Sequence, residues 1–251
     1  MLKRRPDSKL NALFIRGLTR ESRHWRGLEK KFQDKNPEVL VHSIDLPGAG
    51  AFYKLTSPSN LDDYIFFLRE KLIPIKKDGP TSLIGISMGG MIALRWAELF
   101  PAEVKKVFVI NASASNLSSR GERFNLSEIK KLLGILLSDD PHLKEERILK
   151  LTTEKFAISR EVLEEFATIQ KSCPVSFRSS INQLWAASTF KIDHPLEIPV
   201  VVISALKDRL VSHKCSKILA ETIGAVLITH PDAGHDLPLD DPDWLLSELR
   251  L

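Results

Sequence analysis

The 251-residue sequence has little cysteine and no long hydrophobic run, and both shortages argue against whole classes of protein. Cys173 and Cys215 are its only cysteines and do not have metal-ligand spacing, which argues against a disulfide framework and a cysteine metal site. No apolar run approaches the ~20 residues that a membrane-spanning helix requires. The apolar run at 10–15 is too short for the core of a signal peptide. The sequence therefore predicts a soluble, cytoplasmic protein.

Other absences narrow the possible partners. The formal net charge is only +4, and no dense block of lysine and arginine is interleaved with aromatic residues, which argues against nucleic-acid binding. Internal repeats and low-complexity segments are also lacking. A hydrophobic content of 43% and a charged content of 27% are typical of a globular protein, and a chain of this length can bury a large core. We expect a monomer or homodimer that needs neither cofactor nor metal.

Short apolar runs alternate with helical patterns in the first half of the chain and again near its end. Strands are predicted at 10–15, 39–44, 82–86, 104–110, 198–204 and 225–229, and helices at 25–34, 61–73, 88–100, 212–223 and 243–251. Because these strands lack polar alternation, we expect a parallel sheet that is covered on both faces. The predicted fold class is α/β, with about six mostly parallel strands and helices on both faces.

Residues 112–196 lack strand patterns and instead have apolar residues at helical spacing. The predicted helix faces are Leu126, Ile129, Leu133 and Leu136; Val162, Phe166 and Ile169; and Phe177, Ile181, Leu184 and Trp185. Asp140 followed by Pro141 is typical of a helix start. The stretch is too long to be a loop. We predict a helical cap at 112–196, inserted into an α/β core made of residues 1–111 and 197–251.

The segment GISMG at 85–89 matches the pattern Gly-x-Ser-x-Gly around Ser87. Alone the match is weak, because chance produces it in about one chain in ten of this length and a tight turn explains it equally well. Here, however, it follows a predicted buried strand and opens a predicted helix, which is the context of a nucleophile elbow. The backbone N–H of Met88 would then face a developing oxyanion. Ser87 is the candidate nucleophile.

A serine nucleophile needs a base and an acid that orients the base, and in this arrangement the chain order is serine, acid, histidine. Two histidines follow the last predicted strand. His235 is favoured as the base because Gly234 frees the backbone of its loop, whereas His230 fits a packed histidine at the strand end. Asp208 is the favoured acid, since it follows a strand and the alternative position holds Asn111. A simple turn carboxylate is the other interpretation of Asp208.

These residues, in this order, resemble those of the α/β-hydrolase family. The segment DLPGAG at 45–50 is similar to the family's Asp-x-Pro-Gly-x-Gly loop, KDRLV at 207–211 to its acid segment and AGH at 233–235 to its Gly-His loop. The resemblance covers nearly the whole chain, with residues 112–196 matching the variable cap, although the family's first two strands have no counterpart. It implies a Ser87–Asp208–His235 triad with an oxyanion hole.

The chain departs from the family's pattern after the strand at 10–15. Arg16-Gly17 stands where the family usually has His-Gly. The resemblance implies that the second oxyanion donor, beside the N–H of Met88, is the backbone N–H of Leu18. A backbone donor does not depend on the side chain at position 16, so the substitution leaves the predicted chemistry possible.

Serine rather than aspartate at position 87 favours acyl transfer to water. The predicted activity is therefore carboxylesterase-like hydrolysis of a small-molecule ester or thioester through an acyl-enzyme. Lactonase, C–C bond hydrolase and acyltransferase activities are alternatives on the same triad. A non-catalytic ligand-binding protein is the alternative from another class, because a fold does not determine a function.

Two groups of residues are candidates for binding the substrate. Arg16 and Arg20, with Arg23 and His24, are suited to an anionic group, although a solvated basic loop is the simpler interpretation. Trp185, with Phe124 and Phe190, is a candidate for the wall of an acyl pocket. The same aromatic residues are also typical of a hydrophobic core.

Overall fold

Six parallel strands form one sheet in the computed structural model, which describes residues 10–125, 134–135, 138 and 140–251. The strands are β1 (Leu10–Ile15), β2 (Val39–Ser43), β3 (Thr81–Ile86), β4 (Val104–Ile110), β5 (Val200–Ala205) and β6 (Val226–His230). Their order in the sheet is β2-β1-β3-β4-β5-β6, and each neighbouring pair is parallel. The predicted fold class is confirmed.

The helices in the described part of the chain connect these strands. They are α1 (Leu28–Lys35), α2 (Leu61–Leu72), α3 (Met88–Leu99), α4 (Arg120–Arg123), α5 (Pro141–Thr152), α6 (Arg160–Ser172), α7 (Phe177–Thr189), α8 (His213–Ile223), α9 (Leu237–Asp240) and α10 (Pro242–Glu248). Short 3-10 turns occupy Ser22–Trp25, Gly50–Phe52 and Pro101–Glu103. No helix among these residues is both long and apolar enough to cross a membrane.

Alternate residues of each central strand pack on opposite faces of the sheet. In β1, Leu13 and Ile15 belong to the cluster that α2 and α3 cover, while Ala12 and Phe14 belong to the cluster that α1 and α10 cover. Burial on both faces explains why the strand sequences are continuously apolar. Such strands bring their carboxyl ends to one edge of the sheet, and the loops that follow β1, β3, β5 and β6 carry the candidate site.

The first helix begins later than predicted. Residues Ser22–Trp25 form a 3-10 turn instead of the start of a helix at residue 25. Arg26 and Gly27 then adopt left-handed conformations, with φ of 49° and 79°. This reversal of the backbone ends the 3-10 turn and lets α1 start at Leu28.

Between β4 and β5, the described residues contain helices α4–α7 and no strand, as predicted. Asp140 caps α5 by accepting hydrogen bonds from the backbone N–H groups of His142 and Leu143, with Pro141 in the first turn, which confirms the predicted helix start. The predicted face of α6 is also confirmed, because Val162, Phe166 and Ile169 pack together in a buried cluster. All four residues of the face predicted at Leu126, Ile129, Leu133 and Leu136 lie outside the described residues.

The apolar face predicted for α7 is not a core face. Phe177, Ile181 and Trp185 are 52%, 37% and 62% exposed. The buried side of α7 consists mainly of small and polar residues instead: Ser179, Ser180, Gln183, Ala186 and Ala187. The helical spacing therefore predicts the helix correctly, but it does not predict which side of the helix faces the protein.

Candidate active site

Ser87 occupies a sharp turn between β3 and α3. Its backbone has φ 56° and ψ −122°, a conformation that costs a non-glycine residue about 1–3 kcal/mol and is frequent at functional sites. A Cβ atom at Gly85 would lie 2.2 Å from the backbone O of Gly89, and one at Gly89 would lie 2.2 Å from the O of Ile15. The two glycines therefore permit the close approach of β3, α3 and β1 at this turn. The turn has the geometry of a nucleophile elbow.

Asp208 and His235 meet beyond the ends of β5 and β6. The Nδ1 atom of His235 lies 2.7 Å from Oδ2 of Asp208, whose side chain is 1% exposed. The other oxygen of Asp208 accepts the N–H groups of Leu210 and Val211, at 2.8 and 3.0 Å. Because these bonds fix the carboxylate, it can hold the imidazole with Nε2 free for another partner. Asp208 also has the contacts of a turn carboxylate, which was its other interpretation, in addition to its contact with the imidazole.

Opposing effects act on the pKa of His235. Burial lowers it, while the charge of Asp208 and the hydrogen bond to Asp208 raise it; the charge of Asp236 raises it and that of Arg16 lowers it. The net result is a pKa above the ordinary value of 6.5. The carboxylates thus favour the imidazolium form, which is the form that a general base reaches when it accepts a proton.

Ser87 and His235 line one cavity of about 120 Å³. The other polar side chains that line it belong to Arg16, Thr19, Arg20, Asn125, Thr152, Ser180 and Asp236. The apolar side chains that line it come from the loops after β1 and β5, from β3 and from the helices between β4 and β5: Leu18, Ile86, Phe124, Ile148, Leu151, Leu184, Leu210 and Val211. Nowhere in the described chain do three or more His, Cys, Asp or Glu side chains group as metal ligands. The arrangement suits a small, largely apolar organic group.

The loop after β1 lies directly against the serine. A Cβ atom on Gly17 would be 2.9 Å from the Cβ of Ser87, so only glycine fits without a shift. Leu18, the next residue, lines the cavity. Met88 is the first residue of α3, where the helix itself supplies no acceptor for the N–H group. Both candidate oxyanion donors thus belong to segments that border Ser87.

Gln183 of α7 holds the backbone of this loop. Its Oε1 accepts the N–H of Thr19 at 2.8 Å, and its Nε2 donates to Oγ of Ser57 at 3.0 Å. Ser57 in turn donates to the carbonyl of Pro47 at 2.7 Å. Gln183 is 0% exposed, and Thr19 has a left-handed φ of 56° that such a bond helps to maintain. The helix α7 therefore positions the residue next to Leu18.

Arg16, which replaces the family's usual histidine, forms a buried ion pair. Its Nη1 and Nη2 donate to the two carboxylate oxygens of Asp236, at 3.1 and 2.6 Å, and the two side chains are 4% and 5% exposed. The guanidinium also lies 4.7 Å from the ring of Trp25. Since Asp236 follows His235 directly, Arg16 connects the loop that carries Leu18 with the loop that carries the histidine.

Arg20 is likewise paired inside the protein. It donates to Glu145 of α5 at 2.6 Å, and the side chains are 7% and 1% exposed. Arg23 is half-exposed and pairs with Glu21, while His24 is buried with a pKa well below its ordinary value, because of burial and the nearby arginines. The basic segment is therefore not a solvated loop. Two of its arginines line the cavity, each already matched by a carboxylate.

Several further residues, which the sequence analysis did not identify as functional, hold the histidine loop. Asn111 donates to the carbonyl of His235 at 2.8 Å, and Asp240 accepts the N–H of Gly234 at 2.6 Å. The N–H of Asp236 donates to the carbonyl of Thr152, at the end of α5, at 2.7 Å. Asn111 lies at the position considered for an alternative acid, which was the one available signal.

The remaining candidates are distributed differently. His230 is buried, pairs with Asp241 at 3.2 Å and accepts the N–H of Ala233 at 2.9 Å, so it supports the loop from outside the cavity. Of the aromatic candidates, Phe124 lines the cavity, whereas Phe190 lies in the core. Trp185 is 62% exposed and does not line the cavity, because the buried side of α7 turns its neighbour Leu184 inward instead.

Comparison with known proteins places the chain in a family. The mouse monoacylglycerol lipase ABHD6 is 22% identical over 95% of this chain and 74% of its own length. The pimeloyl-[acyl-carrier protein] methyl ester esterase of Chromobacterium violaceum is 25% identical over 78% of this chain and 76% of its own.

Solved structures give the same result for the fold. The esterase of Exiguobacterium antarcticum superposes with a TM-score of 0.78 at 17% identity, over 96% of this chain and 91% of that one. A lipase-esterase related protein of Clostridium acetobutylicum gives 0.74 at 22% identity, over 96% and 93%. A model of the alpha/beta hydrolase family matches residues 12–248. The chain belongs to the α/β-hydrolase family of enzymes.

Proposed function

We propose that the protein is a serine hydrolase that cleaves a small-molecule carboxylic ester or thioester through a Ser87–Asp208–His235 triad. One observation carries the proposal: the His235–Asp208 pair, at 2.7 Å, and the strained Ser87 border the same cavity. Each of these features has a structural explanation when taken alone. Their convergence on one cavity is what favours catalysis.

The proposed reaction proceeds in two acyl transfers. Ser87 Oγ attacks the carbonyl carbon while His235 Nε2 takes the hydroxyl proton, and Asp208 stabilises the resulting imidazolium. The negative oxygen of the tetrahedral intermediate accepts the backbone N–H groups of Leu18 and Met88. Collapse expels the alcohol or thiol, which leaves with the proton from His235. Water then attacks the acyl-enzyme by the same route, which releases the acid and restores the Ser87 hydroxyl.

The cavity indicates the size of the acyl group. Its volume of about 120 Å³ is somewhat below the ~150 Å³ of a protein cavity that holds one benzene ring. We therefore propose a short aliphatic acyl group that packs against the apolar wall. Arg16 and Arg20 do not favour a fully charged group there, since Asp236 and Glu145 already neutralise them.

The insertion supports the same proposal. Ile148 and Leu151 of α5 and Leu184 of α7 contribute to the wall of the cavity, so we propose that α5–α7 form a cap. The two relatives named above are a lipase and a methyl ester esterase, and both names describe hydrolysis of a carboxylic ester. Their low identity leaves the particular substrate to be determined by experiment.

Substitution of Ser87 by alanine tests the proposal directly. The purified Ser87→Ala protein should lose turnover of a short-chain p-nitrophenyl ester and labelling by a fluorophosphonate probe, while its circular dichroism and unfolding midpoint stay close to wild type. Ser247→Ala, at an exposed serine of α10, is the matched control and should keep both activities. Retained turnover in Ser87→Ala would remove this serine from the mechanism. A folded wild-type protein that is not labelled at Ser87 would favour the ligand-binding alternative.

A further inference from the structure

The outward side of α7 carries three large apolar side chains. Phe177, Ile181 and Trp185 are spaced four residues apart, so they form one stripe along the helix, which we call the outer face of α7. They are 52%, 37% and 62% exposed. Scattered exposed apolar residues are ordinary, but a contiguous row that includes two aromatic residues indicates a contact surface.

The segment of the sequence that contains α7 carries charges of one sign. The sequence from 166 to 192 contains no aspartate or glutamate, and it includes Lys171, Arg178 and Lys191, all exposed. The chain as a whole contains basic and acidic residues in similar numbers, 36 and 32. A segment of 27 residues without any acid therefore departs from the composition of the protein as a whole.

A second segment without acidic residues lies beside α7. The backbone N–H of Ser57 donates to Oγ of Ser179 at 3.1 Å, and Asn182 donates to the carbonyl of Ser57 at 2.8 Å, which fixes this loop against the helix. Two residues earlier, Leu55 is 46% exposed, and Lys54 beside it is also exposed. This loop, bonded to α7 through Ser57, thus also carries an exposed apolar and an exposed cationic side chain and no acidic one.

The area of the outer face helps to identify its occupant. At the exposures given above, and with about 150–250 Å² for a large side chain, the three residues offer roughly 300 Å². A stable protein partner needs about 800 Å² on each side. A bilayer needs no such complementary area, because tryptophan and phenylalanine insert at the headgroup level and cations bind anionic headgroups. We propose that the outer face of α7 docks on the surface of an anionic phospholipid bilayer.

Trp185 provides a built-in reporter of this docking. Trp25 and Trp96 are 1% and 2% exposed and Trp244 is half-buried, so a change of environment at the surface is seen mainly through Trp185. Vesicles that mix phosphatidylglycerol with phosphatidylcholine should shift the emission to shorter wavelength, and lipids with brominated acyl chains should quench it. Vesicles of phosphatidylcholine alone should give a much smaller effect, and high salt should weaken the binding. These measurements use the wild-type protein without substrate, so they do not depend on the role of Ser87.

Two double substitutions distinguish docking by α7 from nonspecific adsorption of exposed apolar residues to lipid. Phe177→Ser/Ile181→Ser should raise the lipid concentration needed for half-maximal binding at least about tenfold, with Trp185 retained as reporter. Ile73→Ser/Ile75→Ser is the matched control, because Ile73 and Ile75 are 57% and 55% exposed just beyond α2. Its binding should equal that of the wild type.

Three outcomes would overturn the proposal. The first is an emission from Trp185 that anionic vesicles at low salt neither shift nor quench. The second is equal loss of binding in both double variants. The third is a dimer, seen by sedimentation without lipid, that Phe177→Ser/Ile181→Ser dissociates, since the outer face of α7 would then bind a second copy of the chain.

Discussion

The ion pair between Arg16 and Asp236 allows a test of how the site is held together. We consider three variants: Arg16→Met, Asp236→Leu and the double substitution. Methionine preserves much of the apolar stem that lies beside Trp25, while it removes the charge and the donors. Each single variant leaves one charged group inside the protein without its partner, whereas the double variant removes both charges together.

The expected magnitude follows from the burial of the pair. The side chains are 4% and 5% exposed and are joined by two hydrogen bonds. Removing one partner of such a pair costs about 3–5 kcal/mol, because an uncompensated charge remains. For a chain of this size that corresponds to a melting temperature lower by roughly 6–20 °C. The double variant should recover most of the loss, since apolar replacement of a buried pair is often nearly neutral.

The two single variants should shift the pH dependence of kcat/KM in opposite directions. Under the proposed function, kcat/KM rises as His235 loses its proton, around a pKa that lies above 6.5 because Asp208 outweighs the effect of burial. Arg16 lowers this pKa, so Arg16→Met should move the rising limb to higher pH. Asp236 raises it, so Asp236→Leu should move the limb to lower pH. The double variant should lie between them.

The raised pKa of His235 also predicts how the free energy of unfolding depends on pH. Because the folded state binds the proton more tightly than the unfolded chain does, the contribution of His235 is complete below its unfolded pKa, near 6.5. It should disappear as the pH rises from that value through the higher folded pKa.

Urea titrations of the wild type and the three variants measure the free energy of unfolding. Initial rates with a p-nitrophenyl ester across a pH series measure the rising limb of kcat/KM. Arg160→Met is the control, because Arg160 and its partner Glu164 are 93% and 56% exposed and their ion pair should contribute less than about 1 kcal/mol. A loss of less than about 1 kcal/mol in either single variant would contradict the expected role of the pair. A double variant as unstable as the two single losses added together would contradict it equally.

Two further substitutions test other parts of the site. Gln183→Met removes the acceptor for the N–H of Thr19, so it should lower kcat more than it changes KM and destabilise the protein by about 1–3 kcal/mol; steady-state kinetics with unchanged kcat would contradict this. Gly85→Ala places a Cβ 2.2 Å from the backbone of α3, so it should abolish soluble expression or cost more than about 3 kcal/mol in urea unfolding. A Gly85→Ala protein with wild-type stability would show that the turn can open.

The fold was predictable because its signals are local. The predicted strands lie within two residues of the observed ones, since strands that are buried on both faces read as continuous apolar runs bounded by turns. The start of α1 was not predictable in this way, because it depends on the left-handed conformation of Arg26, which the residue type does not favour. The buried side of α7 was missed because helical spacing identifies an apolar face but not what covers it.

The residues of the site likewise differ in whether local sequence patterns identify them. The chain order of Ser87, Asp208 and His235, each after a predicted strand, was enough to propose that they meet, because parallel strands end at one edge. Their supporting residues were not predictable. Gln183 contacts a residue 164 positions away, and the partners of Arg16 and Arg20 are 220 and 125 positions away. No local pattern pairs residues at such separations, so only the unusual arginine at position 16 was visible in the sequence.

Several of these distant contacts join the helices between β4 and β5 to the loops that border Ser87. Gln183 of α7 holds the loop of Leu18, while the end of α5 accepts the N–H of Asp236 through Thr152. The insertion therefore contacts the loops on both sides of Ser87, in addition to lining the cavity. A displacement of α5 or α7 would change the positions of the proposed oxyanion donor and base together. Because the outer face of α7 lies on the opposite side of the same helix, docking there would act on a segment that already supports the proposed catalytic geometry.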